Sequence, residues 1–212
     1  MTEIKKQVDK SHYGFHKYLN KARWASMWHQ LDEVIKLKPS SVLEIGPGPG
    51  IFKNIASLFG IKVETFDIDP ELHPDHVGSV FQMPFEDKSF DVVCAFQMLE
   101  HLPFEQSLMA FREMRRVSKF ALIISLPDAA IRYPLSIQFP KFGTVRFSIP
   151  KPRFRQASHS FDGQHYWEIN KAGFNLSHVT KMLIEQGGVK LLKTYRVHEH
   201  LYHRFMIFEV CD

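Results

Sequence analysis

Cysteine is almost missing from this sequence. Only Cys94 and Cys211 occur among 212 residues, each inside an apolar run, VVCAF and IFEVC. Two isolated thiols make neither a disulfide framework nor a zinc knuckle, so a reducing compartment is the default. Long apolar runs are missing too. None approaches the roughly 18 residues of a membrane helix, and the opening MTEIKKQVDK holds no apolar signal core. The expectation is therefore a cytoplasmic chain with no membrane partner. A strong charge excess is also absent: 27 basic and 23 acidic residues leave +4. That balance permits a nucleic-acid partner without requiring one.

What is present is a globular composition, 44% hydrophobic and 24% charged, over the length of one domain. Tyr18, Ala22, Ala25, Trp28, Leu31 and Ile35 recur three and four apart, which predicts one helix over 12–37. SVLEIG (41–46) reads as a short buried strand and 50–60 as a helix with Phe52, Ile55, Ala56 and Phe59 on one face. KVETFDI (62–68) is a second strand. Residues 69–79 are too short and proline-rich for a crossover helix, and 80–88 are a loop. SFDVVCAF (89–96) is a strand, 102–118 carries a helix packing through Leu108, Phe111, Met114 and Val117, and FALIISLP (120–127) is a strand. This alternation predicts an α/β fold with a parallel sheet covered on both faces.

The pattern breaks over about 128–170. Pro134, Pro140, Pro150 and Pro152 interrupt it, scattered aromatics appear, and the acidic residues of 128–165 are only Asp128 and Asp162. This stretch reads as an insertion over one end of the sheet. Residues 175–188 return to helix, capped by Asn175 or Ser177 and ended by Gly187 and Gly188. Two closing strands, 189–199 and 203–211, follow as an antiparallel pair. The whole is one domain: an N-terminal helix, a core of 41–127 and 174–211, and an inserted lid.

VLEIGPGPG (42–50) ends the first strand. A P-loop would need Gly-Lys-Ser/Thr at its end, and this loop ends in Gly50-Ile51-Phe52. The dinucleotide fingerprint would need glycine where Ile51 stands. Pro47 and Pro49 remove two N–H donors that a pyrophosphate would want. A nucleoside without phosphates needs close backbone approach but less anion cradling.

Glu44-Ile45-Gly46-Pro47-Gly48-Pro49-Gly50 resembles the first motif of class I S-adenosylmethionine-dependent methyltransferases. Asp67 in TFDIDP resembles the family's ribose-binding acid, GSVFQMPFEDKSFDVVCAFQMLEHL (78–102) its third-to-fourth-strand segment, and the last helix and strands its antiparallel tail. The resemblance implies a Rossmann-like, doubly wound, seven-stranded and mostly parallel sheet with an antiparallel last strand and a small inserted lobe. It implies S-adenosylmethionine as cofactor and S-adenosylhomocysteine as product. By the same resemblance Asp67 takes the ribose hydroxyls, or else it is a turn-forming Asp before Asp69-Pro70. Glu44 takes the ammonium directly or through water, or else is a strand-end charge beside a helix N-terminus. Gly46, Pro47 and Gly48 form the approach loop. Ile68 packs on adenine or is core. Ser79, where the family often has Asp, and the Val80 backbone meet the adenine edge, and Gln97 lines the cofactor site.

Methyl transfer from a sulfonium needs a positioned acceptor and, where required, a base. Gln97, Glu100 and His101 fall at i, i+3 and i+4 of a helical turn and would share one face. Some O-methyltransferases hold a divalent metal with Glu-x-x-Glu-His there. Gln97 replaces the first carboxylate, so no metal is expected; Glu100 and His101 are then a structural pair or a base, with His101 the catalytic candidate. His165 in GQHYWEI (163–169) is the second catalytic candidate, while Tyr166 and Trp167 are either lid residues or anchors. The Asp-Pro-Pro-Tyr-like motif of base-amino methylation is absent, and Cys94 lacks the Pro-Cys setting of cytosine enzymes. A small or medium-sized acceptor methylated on O or N is the first reading. The alternatives are RNA, through the Phe/Lys/Arg stretch 141–155, and a non-catalytic methyltransferase-like binding module. Of His198, His200 and His203, the first two would share a strand face only if that strand runs so far.

Overall fold

A computed structural model describes residues 10–152 and 156–211 of the chain. Seven strands form one sheet: β1 Ser41–Ile45, β2 Lys62–Asp67, β3 His76–Val77, β4 Phe90–Phe96, β5 Ser118–Pro127, β8 Val189–Val197 and β9 His200–Val210. Their order is β3-β2-β1-β4-β5-β9-β8, parallel except that β9 runs antiparallel to both its neighbours. The central strands carry apolar side chains alternately to two buried faces, as a parallel sheet under two helical layers requires. One face holds Leu43, Ile45, Val93 and Leu122 against α4 (Phe104–Val117) and α5 (Leu176–Gly187). The other holds Val42, Val92, Cys94 and Ile123 against α2 (Lys21–Lys36) and α3 (Ile51–Leu58). Leu108, Phe111, Met114 and Val117 are the buried stripe of α4, as their spacing requires. Asn175 caps α5 by accepting from His178 N, and Gly188 ends it in a left-handed conformation.

The N-terminal helix departs from its expected form. The chain makes a 3₁₀ turn (Lys10–Tyr13) and a single turn α1 (Phe15–Tyr18), then restarts where the Asn20 side chain caps α2. The buried face of α2 is Ser26, Met27, Gln30, Glu33 and Val34, while Trp28 is 58% exposed and Ile35 is also exposed. The helix turns this way because it seats on the closing strands through polar pairs. Ser26 Oγ meets His203 Nδ1 at 2.8 Å, and Glu33 accepts from Tyr195 and Lys193. In α3 only Phe52 and Ala56 are fully buried, and Phe59 lies beyond the helix end and is exposed.

The insertion contains strands the sequence reading treated as irregular. β6 (Arg132–Phe139) and β7 (Gly143–Pro150) pair antiparallel as a separate two-stranded sheet. Pro134 and Pro150 are tolerated because both strands are edges. Pairing segregates the side chains. Tyr133, Leu135, Ile137, Phe139, Val145, Phe147 and Ile149 share one exposed face, whereas Arg132 and Arg146 occupy the other. There Arg132 bonds Ser148, Ser136 bonds His198, and Arg146 lies 3.8 Å from Glu199. Phenylalanine and arginine alternate along the chain but do not mix on one surface. Arg153, Phe154 and Arg155, the end of the basic stretch, lie outside the described residues. β8 stops at Val197, so His198 sits in the turn before β9 rather than on a strand with His200.

Candidate functional site

β1 ends against a tight loop at the carboxyl edge of the sheet. Gly46 and Gly48 have φ of +69° and +53°, where a side chain is strained. A Cβ on Gly46 would lie 2.6 Å from Met98 Cγ, and one on Gly48 would lie 2.9 Å from Tyr13 Cε1. The first contact sets the loop beside the segment after β4. The second brings the N-terminal turn down over it.

Two carboxylates lie near this loop. Glu44 lies in the central strand, 4% exposed, and its Oε2 has no hydrogen-bond partner among the described residues. Burial pushes its pKa up to about 8, partly opposed by Lys53 and reinforced by Asp67. Asp67 ends β2, half-buried, with Oδ1 accepting from Asp69 N at 2.8 Å. Ile68 is 38% exposed, Ser79 partly exposed and Val80 buried just past the end of β3, so all three stand near the β2 edge. Tyr13 and Tyr18 cover the loop from the N-terminal side, their rings 5.1 Å apart. Burial raises the pKa of both. For Tyr13 it reaches about 12, with Asp67 and Asp69 contributing. Arg23 lies 4.4 Å over the Tyr18 ring. Sequence reading missed Tyr13, Tyr18 and Arg23. Their only signal was the aromatic density of an N-terminal stretch read as one packing helix.

The segment after β4 also differs from expectation. Gln97 has φ +54°, which breaks any helical continuity with Glu100 and His101. Its amide donates to Ser125 Oγ at 3.1 Å, tying the ends of β4 and β5. The helical turn begins only at Leu99, as a 3₁₀ turn Leu99–His101. The three residues therefore do not share a face. Glu100 instead turns inward and meets the other catalytic candidate. Its carboxyl is buried, with a pKa raised to about 7 by burial, against the opposing charge of His165. His101 and His165 pack edge to face, with ring centroids 5.1 Å apart. Burial, then the charge of His165, holds His101 down at about 4, so its imidazole is neutral near pH 7. Burial pulls His165 down as well, but its bond to Glu168 and nearby carboxylates outweigh that and leave it raised.

The stretch 163–169 divides its roles. Trp167 is an anchor: fully buried, its indole N–H donates to Leu102 O and Ser107 Oγ. Tyr166 is exposed and lies against Phe161 at 4.4 Å, and its amide donates to Glu100 O. Glu168 accepts from Tyr202 Oη at 2.6 Å and from His165 Nδ1 at 3.1 Å. Tyr202, on β9, was invisible to sequence reading because nothing local marks it.

Residues 15–179 match a family model described as a methyltransferase domain. Among solved structures the fold is similar to the PH0226 protein of Pyrococcus horikoshii OT3, at 17% identity over 96% of this chain and 100% of that one, with TM-score 0.61. It is also similar to 1,6-didemethyltoxoflavin-N1-methyltransferase of Burkholderia thailandensis, at 13% identity over 90% and 78% of the two chains, TM-score 0.59. A third likeness is to magnesium protoporphyrin IX methyltransferase of Synechocystis PCC 6803, at 15% identity over 96% and 90%, TM-score 0.58. No curated relative matches the sequence. At such identities the structural likeness is one of fold.

Proposed function

The chain belongs to the methyltransferase domain family, and on that premise we propose that it transfers a methyl group from S-adenosylmethionine to an oxygen or nitrogen of a small or medium-sized acceptor. The observation that carries this reading is a strand-end carboxylate, Asp67, and a buried carboxyl, Glu44, whose Oε2 has no hydrogen-bond partner among the described residues, beside a glycine loop too crowded for side chains. Two of the fold neighbours were solved with S-adenosylhomocysteine or S-adenosylmethionine bound.

The residues fit such a ligand. Asp67 accepts from both ribose hydroxyls. Gly46, Pro47 and Gly48 offer a close backbone surface. Ile68 would face adenine, with Ser79 and Val80 toward its edge, and Gln97 would border the methionine end. Glu44 would pair with the ammonium, and Arg23, whose guanidinium lies 4.4 Å from the Tyr18 ring centre, would offer the complementary charge for the carboxylate. S-adenosylmethionine supplies an electrophilic methyl on a sulfonium. The chain's part is to hold the acceptor in line, exclude water and take its proton where it has one. His101, neutral at pH 7, and His165, whose ring packs against it, are the candidate bases. RNA draws less support, because the apolar and basic faces of the β6–β7 hairpin are separate and Arg132 and Arg146 engage the chain's own Ser148 and Glu199.

Glu44 gives the reading a pH signature. In the free protein its proton stays on up to about pH 8. Pairing with an ammonium ionises it, so ligand binding releases a proton below that pH. Calorimetry at pH 6.5 in buffers of different ionisation enthalpy is expected to show close to one proton released on S-adenosylhomocysteine binding. Glu44→Gln should remove that release. The same elevation costs the free protein stability as pH rises from about 4.5 to 8, because the unfolded chain gives up a proton that the folded one keeps.

A further inference from the structure

Glu100 presents a buried group without a counterpart. It is 0% exposed, and neither carboxylate oxygen has a hydrogen-bond partner among the described residues. Buried polar groups are nearly always satisfied, and an unsatisfied carboxylate is among the most costly to hold. Two imidazoles each bring a ring nitrogen within 4.8 Å of it, and both are held from behind. His101 Nδ1 donates to the Gln164 carbonyl at 3.0 Å. His165 Nδ1 donates to Glu168 at 3.1 Å, and Glu168 is itself fixed by Tyr202 Oη at 2.6 Å. An imidazole that gives its Nδ1 proton to a carbonyl or carboxylate keeps a basic Nε2 on the ring's other edge. This is the support that metal-bound histidines almost always have. One donor atom from each of Glu100, His101 and His165 lies within 4.8 Å of the other two.

We infer that Glu100, His101 and His165 form a binding site for one divalent transition-metal cation. Two imidazoles and one carboxylate suit the Mn²⁺-to-Zn²⁺ series, whereas Mg²⁺ and Ca²⁺ prefer sites made of oxygen. Bonds of about 2.1 Å require the donors to draw together slightly, which side-chain rotation supplies. Gln97, which stands where a carboxylate would ligate, takes no part in this site. Gln97 is turned to Ser125, and the third donor comes from His165, beyond the hairpin.

The test is direct. Full-length protein, treated with chelator, dialysed and kept free of S-adenosylmethionine, is titrated with Co²⁺ and followed by visible absorption and metal analysis. One Co²⁺ per chain is expected, with ligand-field bands of mixed nitrogen and oxygen coordination. Glu100→Gln and His165→Gln should each abolish it. Glu168→Gln, which leaves all three donors in place but takes the charge from behind His165, should weaken it about 10–100-fold, and this variant keeps the test open if Glu100→Gln does not fold. His198→Ala, in the β8–β9 turn, should leave binding unchanged. No stoichiometric Co²⁺, or binding that survives both Glu100→Gln and His165→Gln in folded protein, overturns the site. Because the readout needs no cofactor, its failure is distinct from failure of the methyltransferase reading.

Discussion

Replacing Asp67 with alanine is expected to weaken binding of S-adenosylmethionine and S-adenosylhomocysteine at least about a hundredfold while the protein stays folded. The carboxylate ends β2 at the edge of the glycine loop, where it can meet two vicinal hydroxyls at once. Hydrogen bonds to a charged group contribute about 1.5–3 kcal/mol each, and a loss of about 2.8 kcal/mol is a hundredfold in Kd. Asp67 has a local duty as well, accepting from Asp69 N at 2.8 Å. Asp67→Asn keeps that acceptor and loses the charge, so it separates the roles. It should bind more weakly than wild type by about tenfold, with little change in melting. Calorimetric titration of both variants reads the effect. Binding by Asp67→Ala within threefold of wild type would remove Asp67 from the cofactor site.

The second large effect concerns the fold beneath the insertion. Asp128 follows β5 and is fully buried, yet it carries the ties of several elements. It accepts from Arg196 on β8, from Arg204 on β9 at 2.7 Å, from the Asn170 amide at 2.8 Å and from Ala130 N at 3.1 Å. Burial lowers the pKa of Arg196 to about 10, helped by the charge of Arg204, so the two guanidiniums repel and depend on the carboxylate between them. Removing one member of a buried ion pair costs about 3–5 kcal/mol, because the remaining charge is left uncompensated. Asp128→Ala is therefore expected to lower Tm by about 10–15 °C, given about 2–4 °C per kcal/mol for a chain of this size. Thermal melting followed by circular dichroism measures it. A fall of less than about 3 °C would mean that water or a rearranged partner already serves the arginines.

The sheet was legible because its central strands are apolar on both faces. VLEI, DVVCAF and ALIISL are unbroken buried runs, and the Leu108–Phe111–Met114–Val117 spacing fixes α4 without tertiary help. The two carboxylates at the glycine loop, Glu44 and Asp67, were singled out by the family resemblance of VLEIGPGPG and TFDIDP, because strand periodicity alone assigns a charged residue no ligand. The N-terminal helix was not legible in detail. Its buried face is polar, Ser26, Gln30 and Glu33, because its partners on β8 and β9 are Tyr195, Lys193 and His203. An apolar stripe is the wrong guide when the contact is polar. The hairpin escaped notice because Pro134 and Pro150 mask its period-two alternation, and an isolated two-stranded sheet has no interior strand to forbid them. The Glu100–His101–His165 cluster was legible only in part. Local spacing grouped Gln97 with Glu100 and His101. A left-handed residue at Gln97 undid that grouping, and no local rule places His165 beside them.

The central claim is that the glycine loop, Glu44 and Asp67 hold a sulfonium nucleoside rather than a dinucleotide. Calorimetric titration of the wild-type protein with S-adenosylmethionine, S-adenosylhomocysteine and NAD tests it most directly. The account predicts saturable one-to-one binding of the first two and no heat of binding with NAD. Folded protein that binds neither S-adenosyl compound, or that binds NAD as well as either, would contradict it.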